Sequence, residues 1–139
     1  MGDDMLENNL VALVTALTLG LFVWMTLRVA KARATFGIAA PATAGNAEFE
    51  RHFRVQMNTL EGLVVFLPAL WLFTLYWGQI AAALLGLAWL AGRIVYMLAY
   101  VKEPKSRGLG FAIQGGASLL LILGVVIGAL KMMIIKGGL

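Results

Sequence analysis

Two sets of polar residues stand where the surrounding sequence is apolar, and each set falls on one helical face. In Glu50-Arg51-His52-Phe53-Arg54-Val55-Gln56-Met57-Asn58-Thr59-Leu60-Glu61, the residues Arg54, Asn58 and Glu61 are spaced i, i+4 and i+7, which puts them on the same side of a helix. Further along, Arg93, Tyr96 and Tyr100 are spaced i, i+3 and i+7, and Arg107 follows just beyond them. Ionisable groups inside apolar segments are costly and ordinarily face a bundle interior or a cavity. If the two stripes face each other, they enclose a cationic site containing arginines, one carboxylate, one amide and two phenols.

Such a site suits a small anionic ligand that also carries an ammonium group. Guanidinium forks hold carboxylates bidentately, Glu61 takes the ammonium, and Asn58 or a phenol fixes a peptide backbone. The tripeptide glutathione has this pattern. A guanidinium that also reaches its sulfur favours thiolate over thiol, lowering a pKa of about 8.5 for a free cysteine. The chain has no cysteine, so the thiol must be the ligand's and the protein supplies electrostatics. The same residues also admit a structural reading. Arg51 or Arg54 reaches to the interface and pairs with Glu50 or Glu48, and Glu61 forms a buried pair with Arg93. Spacing leaves both readings open. His52, the single histidine, has no acidic or histidine partner at ligand spacing and is read as a surface residue, so no metal site is expected. No Gly-rich phosphate loop or Ser-His-Asp arrangement is present.

The elements that must position these groups are membrane helices. Of the 139 residues, 61% are hydrophobic and 13% charged, too little polar surface to cover a water-soluble fold. Apolar runs predict spans at about 9–28, 55–77, 79–101 and 110–131 within a single unit, 1–139, giving an all-α, integral membrane four-helix bundle. The start, Met1-Gly2-Asp3-Asp4-Met5-Leu6-Glu7, is acidic where a secretory signal is basic, so the first run reads as a retained span. Arg28 to Arg54, with its charges, Pro41 and Gly45, reads as a long first loop whose end enters a helix. Pro68 falls in mid-span and predicts a kink. Trp77-Gly78-Gln79 reads as a very short turn, with Trp71, Tyr76 and Trp77 as an aromatic belt. Gly124 and Gly128, preceded by Gly115 and Gly116, allow the last helix a close approach to a neighbour, or reflect the general glycine content of membrane helices. The net charge of +4 comes from basic residues flanking the spans, which places loops one and three in the cytoplasm and both termini opposite. No basic and aromatic module points to nucleic acid.

The pattern Glu50-Arg51-x-x-Arg54-x-Gln56-x-Asn58-x-x-Glu61, with Arg93-x-x-Tyr96-x-x-x-Tyr100 and Arg107, resembles the signature of the MAPEG family. The resemblance extends over nearly the whole chain, without an obvious gap from Arg33 to Arg107. That family includes microsomal glutathione transferases, leukotriene- and prostaglandin-forming synthases and a non-catalytic lipid-binding member. The resemblance implies a homotrimer with glutathione held between subunits, its thiol toward a lipid-facing groove. It further implies tripeptide binding by Arg54, Asn58, Glu61, Tyr96 and Tyr100, with Gln56 nearby and Arg33 contributing from the first loop. Arg93 belongs to the same stripe and is counted with the binding set. Arg107 matches the arginine that stabilises the thiolate in the leukotriene-forming branch, making it the expected catalytic residue. Two positions depart from that branch: Gly62 stands for a tyrosine, and Ala34 for the second arginine of a pair begun by Arg33. Eicosanoid specificity is therefore not implied. The expectation is a membrane glutathione transferase or peroxidase acting on apolar electrophiles or lipid hydroperoxides. Its rivals are a lipid-binding member without turnover and a small transporter or channel in which Arg93 and Glu61 line an ion path.

Overall fold

A computed structural model describes residues 8–137; the acidic stretch 1–7 lies outside the described residues. Helix α1 runs Asn9–Phe36, α2 Ala47–Trp77, α3 Gln79–Lys102 and α4 Gly108–Ile135. A 3₁₀ turn, Pro104–Arg107, leads into α4. The described residues contain no strand. All four helices are long and apolar enough to cross a membrane. Their outer faces carry large apolar side chains that water would not tolerate in such number, Leu75 being 74% exposed and Ile134 71%.

The helices reach well beyond the apolar runs. Arg28 to Phe36 continues α1, and Ala47 to Arg54 opens α2, so the first loop is only 37–46, much shorter than the charge pattern implies. A second periodicity accounts for this. Val29, Ala32 and Phe36 form a stripe on α1 that packs on Phe49 and Phe53 of α2, a small core of its own beyond the apolar run. The loop between is tightly specified. Gly37 ends α1 in the left-handed region, at φ 66°. Asn46 caps α2 by accepting from the backbone N–H groups of Glu48 and Phe49. The Arg33 guanidinium donates to the carbonyls of Ala42, at 2.6 Å, and Ile38.

The main core lies among all four helices, around Val11, Val14, Phe66, Leu70, Trp89 and Leu121. Phe66 and Trp89 stack with ring centres 4.2 Å apart. Helix α2 runs through Pro68 without a break. Gly78 alone joins α2 to α3. The α4 glycines that the sequence singles out divide into two groups. A side chain on Gly124 would strike the Phe73 ring and one on Gly128 the Tyr76 ring, whereas Gly115 and Gly116 face open space. Helix α4 therefore lies against α2 at its far end. At its near end it lies against α3, where Gly110 sits directly on the Tyr96 backbone and Gly92 on that of Gln114. Trp71 and Trp77 remain exposed, donating their indole N–H groups to Thr15 Oγ1 and the Gly124 carbonyl.

Candidate functional site

The Asn58 stripe of α2 and the Tyr96 stripe of α3 face each other. Asn58 Nδ2 donates to the Tyr96 hydroxyl at 2.7 Å. Around this bond lies an open cavity of about 530 Å³, lined by Asn58, Glu61, Gly62, Arg93, Tyr96, Arg107, Gly108, Phe111 and Gln114. Each element brings its share for a local reason. The α3 stripe is turned inward because Arg93 and Tyr96 are buried. The 3₁₀ turn, capped by Glu103 accepting from the Lys105 N–H, sets Arg107 at the cavity rim. The glycine approach of α4 onto α3 then brings Phe111 and Gln114 alongside.

Arg93 is 2% exposed, and two of its donors are engaged inside the protein. Nε donates to Thr59 Oγ1 at 2.8 Å and Nη2 to the Val55 carbonyl at 3.5 Å, while the guanidinium lies 4.2 Å from the Tyr96 ring centre. The directional bonds of Arg93 thus go to α2 backbone and hydroxyl groups, not to Glu61, and Glu61 is left exposed at the cavity. A buried cation whose hydrogen bonds go to neutral acceptors still contributes positive potential at the cavity wall, partly offset by the Glu61 carboxylate in the same lining. Tyr96 and Tyr100 stack with centres 5.5 Å apart, and the Arg107 guanidinium lies 5.7 Å from the Tyr100 ring. Tyr100 therefore braces Tyr96 and Arg107 from behind.

Of the residues singled out by sequence, Asn58, Glu61, Arg93, Tyr96 and Arg107 share the cavity, whereas Arg33, Arg54, Gln56 and Tyr100 are not part of its lining. Gln56 Nε2 donates to Thr26 Oγ1 of α1. Arg33 ties down the first loop and lies 4.8 Å from the Phe49 ring. Arg54 is exposed. Arg51 does not pair with Glu48 or Glu50; it donates to the carbonyls of Val101 and Lys102 and so covers the end of α3. Sequence reasoning missed Gln114, Thr59, Gly108 and Phe111. The amide of Gln114 interrupts an otherwise apolar run, the signal that identified Arg93, but Gly108 and Phe111 carry no comparable mark. Among the described residues no group of three or more acidic or histidine side chains converges as a metal site requires.

Gly62 has a specific effect on the cavity. A β-carbon there would lie 3.3 Å from Trp89 and 3.7 Å from the Gln114 amide oxygen, so its absence leaves open the space that a larger residue would occupy.

The sequence profile of the MAPEG family matches residues 11–127. Microsomal glutathione S-transferase 2 of Homo sapiens is 37% identical over 117 residues, 84% of this chain and 80% of that protein. Leukotriene C4 synthase of Rattus norvegicus is 40% identical over 101 residues, 73% of this chain and 67% of that protein. An uncharacterised protein of Synechocystis is 45% identical over 119 residues, 86% of this chain and 87% of that protein.

Proposed function

Because this chain belongs to the MAPEG family, we propose that it is a membrane glutathione transferase acting on apolar electrophiles or lipid hydroperoxides through an arginine-held thiolate. The observation that carries this reading is the single cavity in which Asn58, Glu61, Arg93, Tyr96 and Arg107 meet at the ends of the spans. Glu61 takes the glutathione ammonium, the linked Asn58 and Tyr96 hold its backbone, and Arg93 and Arg107 supply positive potential for its carboxylates and sulfur. Arg107, exposed and braced by Tyr100, is the catalytic residue, stabilising the thiolate. In conjugation the sulfur forms a bond to the electrophilic carbon as the leaving group departs with its electron pair. In hydroperoxide reduction the thiolate attacks the terminal oxygen, the O–O bond breaks and the alkoxide takes a proton. A second glutathione then converts the sulfenic acid to the disulfide, releasing water.

Arg33, Arg54 and Gln56 lie outside the cavity lining, which accords with a homotrimer in which a neighbouring subunit completes the glutathione site. Loops one and three then lie in the cytoplasm, with both termini opposite. The test is a glutathione titration of the detergent-solubilised protein, following thiolate absorbance in the ultraviolet at neutral pH. Saturable thiolate formation that Arg107→Ala abolishes while binding persists supports the assignment. An unchanged thiolate signal in that variant refutes the role of Arg107, and no binding by the parent protein refutes the function.

A further inference from the structure

A second cavity, also of about 530 Å³, opens between α1 and α2, bordered by Trp24, Leu27, Arg28, Lys31, Glu48 and His52 among others. Its position relative to the membrane follows from the sequence. Leu10 to Leu27 carries no charge and Arg28 is the first, so the cleft straddles the end of the hydrocarbon. Because α1 and α2 are antiparallel neighbours joined by a short loop, the lining is graded. Trp24 stands deepest, Leu27 and Arg28 about a turn further out with His52 opposite on α2, and Lys31 and Glu48 about a turn beyond them.

No close ion pair closes the cleft, although Arg28 and Glu48 both lie near enough to His52 to act on its charge. Among the described residues no ion pair within 4 Å joins Glu48 to Arg28, Lys31 or His52. The Nε of Arg28 is buried without an acceptor, and its guanidinium is held 4.9 Å from the Trp24 ring centre. A buried donor without a partner is costly and rare. The Nε itself is sealed from the cavity, but the guanidinium, held by stacking, borders it and offers an anion a positioned charge. The order of the lining then specifies the ligand: an apolar tail at Trp24 and Leu27, an anion at Arg28 and Lys31, and a cation outermost at Glu48.

We propose that this cleft binds a glycerophospholipid with an ethanolamine-type headgroup. Arg28 and Lys31 hold the phosphate, Glu48 accepts from the primary ammonium, and an acyl chain runs inward past Leu27 and Trp24. This site is separate from the glutathione cavity and does not rest on the transferase reading.

The experiment adds phosphatidylethanolamine or phosphatidylglycerol, at equal mole fraction, to the delipidated protein and counts retained lipids by native mass spectrometry. Phosphatidylethanolamine is expected to be retained in preference. Arg28→Gln should cut retention of both lipids by about tenfold, the order expected for losing a charge-assisted bond pair. Glu48→Gln should remove the preference while leaving phosphatidylglycerol bound. Unchanged helical circular dichroism and elution volume qualify each variant as folded. Equal retention of the two lipids, or an inert Arg28→Gln, overturns the proposal. The absence of native cysteine permits a second readout, the maleimide labelling of Thr35→Cys in the same cleft. Protection by phosphatidylethanolamine supports the assignment. Equal protection by inorganic phosphate, or protection in lipid-free protein because a second copy covers the cleft, overturns it.

Discussion

Replacing Gly110 by alanine tests whether the α3–α4 approach sets the geometry of the site. The new β-carbon would collide with the backbone nitrogen and Cα of Tyr96 and lie 2.7 Å from the Gly92 carbonyl oxygen. All three are backbone atoms of α3, so no rotamer change relieves the clash. Restoring ordinary contact with the Gly92 oxygen alone moves α4 outward by about 0.7 Å, and a gap of that size forfeits roughly a quarter to a half of the dispersion energy across the facing atoms. Overpacking of this kind costs about 1–3 kcal/mol, against a gain of up to about 1 kcal/mol from replacing glycine by alanine in a helix. Gly116→Ala, on the same helix and facing open space, keeps the gain without the clash. In detergent, Gly110→Ala is expected to unfold at lower temperature than the parent and Gly116→Ala at the same temperature or higher. The same displacement separates Arg107, Phe111 and Gln114 from Tyr96, and a misplacement near 1 Å costs on the order of a hundredfold in rate. The thiolate signal should therefore fall in the first variant alone. Equal stability and equal signal in the two variants would refute the reasoning.

Thr59→Val removes the hydroxyl that accepts from Arg93 Nε with little change of shape. A fully buried guanidinium deprived of that bond should destabilise the protein by about 1.5–3 kcal/mol, read as a lower unfolding midpoint that Thr59→Ser restores. Gly62→Leu fills the space beside Trp89 and Gln114, so kcat/KM for a bulky electrophile should fall by about tenfold or more relative to a small one. A uniform loss for both electrophiles would instead indicate general damage to the site.

Much of this site was legible because polar residues inside membrane spans are few and their helical spacing is informative. Spacing alone puts Asn58 and Tyr96 each on a polar stripe, and leaves open whether the stripes face each other; the 2.7 Å bond between them joins the two. The helix ends were not legible by the same route. Charges at Arg28, Lys31 and Arg33 mark where the hydrocarbon stops, but not where the helix stops, which is decided by Val29, Ala32 and Phe36 packing on Phe49 and Phe53. The partners of long side chains were equally hidden. Arg51 reaches carbonyls some fifty positions away, and Arg33 turns to its own loop, choices that depend on tertiary proximity. Gln114 followed the rule that found Arg93, but it has no charge to draw attention to it.

The one-residue link at Gly78 bears on how the chain is made. An arginine within a span opposes insertion, by up to roughly 2.5–3.5 kcal/mol at the helix centre, when the helix enters alone. Arg93 finds its acceptors, Thr59 and Val55, on α2, the segment synthesised immediately before α3. With only Gly78 between them, the two segments are held side by side, and insertion as a hairpin would bring the arginine into lipid already accompanied by its acceptors.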